Sequence, residues 1–184
     1  MTSSPLNAAL ATSSPKPHAQ AWDRPTVSLD KTTSKVEKLA KLYLEGKPAQ
    51  ILEQTQAELC DWLMQQFRQT PLNAQFSDDL RYQQVAEMFM DIENDHLWVS
   101  AEEGYDNSIY SNPFYGFAFL VMHDYDHYLT GSDWTLGGEI TAYKAAASRV
   151  PSLEIQKILY SQIVLRAAAY LYLGHAPEPK TVFP

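Results

Sequence analysis

The sequence predicts an all-α fold: a single-domain bundle of about six helices over residues 34–184, preceded by a disordered tail over 1–33. Three observations predict it. Apolar residues recur at three- and four-residue spacing in one segment after another, and glycine or proline falls between those segments. No segment alternates apolar with polar residues as a half-buried strand does. Hydrophobic residues make up 45% of the 184, enough for one core of ordinary size.

Up to Thr33 the chain is dominated by Ser, Thr, Pro and Ala, with no apolar period. It has no charged segment followed by an apolar core of the signal-peptide kind, and its first arginine is Arg24, so it reads as a disordered tail. Ser34 with Glu37 forms a capping-box pattern that opens the first helix. Val36, Leu39, Ala40 and Tyr43 give its apolar face, and Gly46 and Pro48 stop it. A second helix is expected from Pro48 to the residues before Pro71, burying Ile51, Leu52, Leu59, Trp62, Leu63 and Phe67. A third is expected from near Ser77, with Leu80, Val85, Met88, Phe89 and Ile92 on its inner face. Residues 98–112 lack a clean period and read as a loop. Asn112-Pro113 starts the fourth helix, which Thr130 and Gly131 end. A fifth runs from near Gly138 to before Pro151, and Ser152 caps a sixth that reaches Leu173 before Gly174 and Pro177.

Charge and cysteine usage exclude several classes of function. A net charge of −8 argues against sequence-independent nucleic-acid binding, which requires clustered Lys and Arg to displace counterions. The lone Cys60 excludes an intrachain disulfide and a thiolate cluster, favours a reducing, cytoplasmic setting, and reads as a packed core residue. The longest apolar stretch, Phe114 to Met122, falls well short of the roughly twenty residues a bilayer-spanning helix needs.

The chemistry concentrates at the end of the fourth helix, PFYGFAFLVMHDYDHYLTG. At about 100° per residue, His123, Asp124 and His127 fall within one arc of roughly 100°, with the two imidazoles one turn apart. Two histidines at i and i+4 are a recurrent way to present nitrogen ligands to a metal. The residues before them are apolar on nearly every side, so this helix is expected to be buried all round. Buried polar groups there would cost several kcal/mol unless a cation compensated them. After His127 come eleven residues ending in Gly137-Gly138, and then Glu139, in the first turn of the next helix, where a carboxylate is favoured. The predicted metal ligands are therefore His123, Asp124, His127 and Glu139. Two nitrogens and two carboxylates suit zinc, iron, manganese or magnesium, and spacing does not choose among these divalent metals.

His123-Asp124-Tyr125-Asp126-His127, eleven further residues and Glu139 resemble the HDxxH-x11-E motif of the coenzyme Q biosynthesis protein 4 family. The small-residue turn at Gly137-Gly138 and the following ITAYK are similar to the family's continuation, and the resemblance is specific over residues 113–145. It implies an all-helical protein associating peripherally with membranes, with the four motif residues as metal ligands. It further implies a prenylated isoprenoid-quinone precursor as ligand, a role in ubiquinone biosynthesis either in the assembly of a biosynthetic complex or in oxidative decarboxylation at ring carbon 1, and a homodimer or complex as the working state.

Two other functions compete. A metal-dependent hydrolase would use Asp126 or Glu139 to activate water, although HDxxH lacks the glutamate base of HExxH. A non-catalytic lipid-binding or assembly protein would use the metal only to brace two helices. Among secondary features, Asp91, Glu93, Asp95 and His96 read as a solvated helix end, with an outer contribution of His96 to the metal as the alternative. Phe114, Phe117, Trp134, Tyr143, Tyr160 and Tyr170 read as core rather than a tunnel wall. Arg166, inside IVLRAAAYLYLG, suits either an acidic partner or an anionic head group. A prenyl channel, if present, is expected between the fourth and sixth helices, lined by Phe117, Val121, Leu159 and Ile163.

Overall fold

Helix α1 (Thr32–Glu45) begins two residues ahead of the expected Ser34 and ends at Gly46, as the glycine and proline there require. The structure, a computed structural model, describes residues 32–100, 109–150 and 152–184. The expected disordered tail lies outside the described residues up to residue 31. Helix α2 (Glu53–Gln69) starts later than Pro48. Residues 47–50 are not helical, and Ala49 N–H donates to the Thr181 carbonyl at 2.8 Å, holding this linker against the C-terminal segment. Leu52 becomes the N-cap and is exposed, while Leu59, Trp62 and Leu63 bury the expected face.

The segment between α2 and α4 departs from the sequence reading. A strand, β1 (Asn73–Ser77), precedes α3 (Val85–Glu93), and a second strand, β2 (His96–Ser100), follows it. The two strands pair in parallel, Asn73 opposite His96 through Ser77 opposite Ser100. The third helix therefore begins eight residues after Ser77, with Leu80 outside it, and residues 98–100 belong to a strand rather than a loop. Parallel strands need a crossover, and α3 supplies it. The Tyr82 hydroxyl pins the unit, accepting from the Trp98 N–H and donating to Asp91 Oδ2, both at 2.9 Å.

Asn112 caps α4 (Pro113–Thr130) by accepting the Phe114 N–H at 2.9 Å, and the helix buries every residue from Gly116 to Met122. Helix α5 (Leu136–Ala147) begins two residues before Gly138, because the Thr135 hydroxyl caps it by accepting the Gly138 N–H. Ser152 caps α6 (Leu153–Tyr160) as expected. A π-helical segment, Ser161–Leu165, carries α6 into α7 (Arg166–Leu173), so residues 153–173 form one rod closed by Gly174 in the left-handed region (φ 76°). Counting that rod once, the described residues hold six helices and one two-stranded sheet. The all-α class stands, and the core joins Leu63, Met88, Leu97, Val99, Val121, Ile155, Ile158 and Leu159. A smaller cluster of Ala40, Tyr43, Leu165, Ala169 and Val182 fastens α1 and the C-terminal segment to the long rod. Among the described residues, no helix is long and apolar enough to cross a membrane.

Candidate metal centre

The site grows out of the way α4 ends. Gly131, at φ 60°, reverses the chain, its N–H reaching the Tyr128 carbonyl while the Ser132 N–H reaches the His127 carbonyl at 3.0 Å. This paired reversal is a Schellman motif, and it folds Ser132 back against the last turn of the helix. Asp133 Oδ1 then accepts both the backbone N–H and the hydroxyl of Thr135, setting the turn into α5. A Cβ on Gly138 would overlap the Asp133 carbonyl, so only glycine permits this approach. The result places Glu139 in the first turn of α5, facing the histidines of α4.

Glu139 Oε2 lies 3.2 Å from His123 Nε2 and 3.4 Å from His127 Nε2. One ligand atom from each of His123, His127 and Glu139 comes within 4.8 Å of the others. Three of the four predicted ligands are thus brought together on α4 and α5. Asp124 stands outside this triad; it lines the adjoining cavity beside His123. The two imidazole rings meet edge to face at 4.7 Å, and Phe119 lies parallel to the His123 ring at 5.9 Å.

Burial makes the triad chemically unusual. His127 is wholly buried and Glu139 nearly so. The Nδ1 of His127 lies 3.1 Å from the Ser132 carbonyl oxygen. A carbonyl only accepts, so Nδ1 carries the proton and the neutral ring has its lone pair on Nε2. That lone pair meets the carboxylate across 3.4 Å, acceptor against acceptor, and Nε2 has no hydrogen bond there. His123 Nδ1 is likewise buried without a hydrogen bond. Leaving such groups unsatisfied costs about 1–3 kcal/mol each. A divalent cation among the three donors converts the facing acceptors into ligands, so the residues fit a metal, and two histidines with one carboxylate are a donor set used for zinc and non-haem iron.

Charge follows the same logic in the metal-free protein. Burial opposes charge on Glu139, but hydrogen bonding to His123 and the nearness of the two imidazoles overcome it and hold the carboxyl far below its usual range. Burial also opposes charge on His123, yet hydrogen bonding to Glu139 and its negative charge win and raise the pKa of this ring.

A cavity of about 70 Å³ adjoins the triad, bounded by His123, Asp124 and Glu139 at one side and by Gln162, Ile163 and Arg166 of the long rod at the other. The expected walls, α4 and the rod from Leu153 to Leu173, do bound it, but of the expected lining residues only Ile163 faces it. Phe117, Val121 and Leu159 are packed core. Trp134 and Tyr170 reach the cavity, whereas Tyr143 packs edge to face on Tyr160 at 5.2 Å and Phe114 is partly exposed. Asp126 is committed elsewhere. Its buried carboxylate pairs with Arg149 Nη2 at 2.8 Å, which removes it as a base for metal-bound water, and burial outweighs that pairing in raising its pKa. His96 faces Asp91 at 3.8 Å at the head of β2 and lines no part of the cavity. Cys60 is buried, as expected.

Sequence reasoning missed Ser132 and Gln162. A polar residue just past a helix-ending glycine was the available signal for Ser132, since the Schellman reversal returns that position to the helix. Gln162 carried no local signal; it sits in the π-helical segment and donates to Lys180 O and Thr181 Oγ1, tying the cavity wall to the C-terminal segment. Comparison of the chain with protein-family profiles, with curated proteins and with solved structures finds no match.

Proposed function

We propose that this protein is a divalent-metal protein of isoprenoid-quinone metabolism, with His123, His127 and Glu139 holding the ion and the adjoining cavity receiving the ring end of a prenylated aromatic acid. The observation that carries the metal reading is the His127 lone pair aimed at the Glu139 carboxylate at 3.4 Å in a buried site. The ligand class rests on the motif resemblance together with the make-up of the cavity. Apolar Phe119, Leu120, Ile163 and Leu171 surround the polar end, and Arg166 offers a positive charge to a carboxylate.

Size limits what enters. A cavity of about 70 Å³ is roughly half the ~150 Å³ that admits benzene in an apolar core. A ring therefore enters by moving a wall, with its isoprenoid tail left toward the mouth. The metal, when bound, supplies Lewis acidity beside the ring. Replacing the ring carboxyl by hydroxyl requires dioxygen, two reducing electrons and two protons from outside the chain, releasing carbon dioxide and water. Arg166 would orient the carboxylate, and the apolar wall would exclude bulk water. A metal that only braces α4 against α5 is the second reading, favoured by the triad bridging those two helices. The hydrolase reading loses ground because Asp126 is paired with Arg149.

Elemental analysis of protein purified without affinity metal, combined with a thermal-shift series of prenyl alcohols and prenylated hydroxybenzoates, tests the proposal. We expect stoichiometric iron, manganese or zinc and a melting temperature that rises with chain length. Bound metal with no response to any prenylated compound would leave the bracing role alone. No metal at all would overturn both readings.

A further inference from the structure

We propose that the hydroxyls of Thr130 and Ser132 form a positioning device that locks His127 in its Nδ1–H tautomer and so presents Nε2, unprotonated, to the ion; this rests on the metal reading of the same site. The hydroxyl hydrogens of these two residues set the direction of every contact. Each hydroxyl has one hydrogen to donate. The Thr130 hydroxyl lies 2.7 Å from the Asp126 carbonyl and spends its hydrogen there. Thr130 Oγ1 and Ser132 Oγ are 2.8 Å apart, so the Ser132 hydroxyl must be the donor to Thr130. Ser132 Oγ also lies 3.0 Å from His127 Nδ1, and with its own hydrogen committed it can only accept. The Ser132 carbonyl, 3.1 Å from the same nitrogen, accepts as well. A single proton arrangement satisfies all four contacts, and it puts the imidazole hydrogen on Nδ1.

The device is built by the end of α4. Thr130 is the last residue of the helix, Gly131 turns the chain at φ 60°, and Ser132 returns to the wholly buried His127. Without Thr130 Oγ1 as acceptor, the Ser132 hydroxyl is released to turn its hydrogen toward Nδ1. That rotation stabilises the opposite tautomer, whose Nε2–H blocks the metal. Groups of this kind, orienting a histidine ligand through its far nitrogen, typically change metal affinity ten- to a hundredfold when removed.

Thr130→Val tests this, because valine keeps the shape of threonine, removes the oxygen, and alters neither His127 nor any other member of the triad. The first measurement is the tautomer of His127 in the metal-free full chain, from long-range ¹H–¹⁵N correlations well above the ordinary histidine pKa of about 6.5. The second is the zinc dissociation constant. We expect the wild type to show only Nδ1–H, Thr130→Val to show a measurable Nε2–H population and zinc binding weakened about tenfold or more, and Thr130→Ser to restore both. Ser132→Ala, which removes the accepting hydroxyl, should also weaken zinc binding and stands in if the valine variant does not fold. A wild-type tautomer pattern in Thr130→Val or an undiminished zinc affinity overturns the proposal. A wild type that takes up no zinc sinks the metal reading instead, and the tautomer measurement still decides the positioning role.

Discussion

Replacing Glu139 by glutamine isolates the charge that the metal reading depends on. The side chain is almost fully buried between two imidazoles, at 3.2 and 3.4 Å, and glutamine has the same shape. In the metal-free protein the change exchanges a charge-assisted hydrogen bond with His123 for a neutral one, a difference of about 1 kcal/mol. Relief of the buried charges offsets part of that, so the metal-free melting temperature should fall by only a few degrees. With metal the contrast is large. A ligand at a hundred times its dissociation constant stabilises the folded state by about 2.7 kcal/mol. For a domain of this size, about 2–4 °C per kcal/mol converts this into a rise of about 5–10 °C. Glu139→Gln should lose most of that rise, because the amide offers a neutral oxygen where a carboxylate anion stood. Differential scanning fluorimetry over a zinc and iron titration reads both effects in one series. A variant whose metal-dependent rise equals that of the wild type would refute the reasoning, since an ion indifferent to Glu139 is not bound between α4 and α5.

Three further outcomes follow from the same geometry. His127→Ala should reduce metal content to background while circular dichroism still reports the helices; undiminished metal would place the ion elsewhere. Gly138→Ala forces a Cβ onto the Asp133 carbonyl, so it should cost about 1–3 kcal/mol and weaken metal binding by displacing Glu139, and a melting temperature and affinity equal to the wild type would contradict the close approach. Metal should reverse the pH dependence of stability. In the metal-free protein His123 has a raised pKa, so its contribution is full below the unfolded value of about 6.5 and is lost as pH rises through the folded value. In the metal-loaded protein the ring is held deprotonated, so stability should rise with pH up to about 6.5 and then level off. Parallel melting curves with and without metal between about pH 5.5 and 8 check this, and slopes of the same sign in both would count against the site.

The sequence by itself determined those features whose causes are local. Three- and four-residue apolar spacing marks the inner face of α2 at Leu59, Trp62 and Leu63, and short-range caps mark where α4 begins at Asn112 and α6 at Ser152. The i, i+4 rule alone puts His123 and His127 on one side of α4, because helix geometry fixes it. Tertiary structure decided what depends on distant partners. β1 and β2 pair across more than twenty residues, and five-residue strands have too short a period to read against the helical pattern around them. Leu52 satisfies the apolar spacing yet is exposed, because the linker before it is drawn to Thr181 and the helix starts late. Glu139 joins the histidines while Asp124, next to one of them in sequence, does not. Angular position on a helix limits which side chains can face a common point, but the approach of α5, set by Gly138 against Asp133, decides which of them meet.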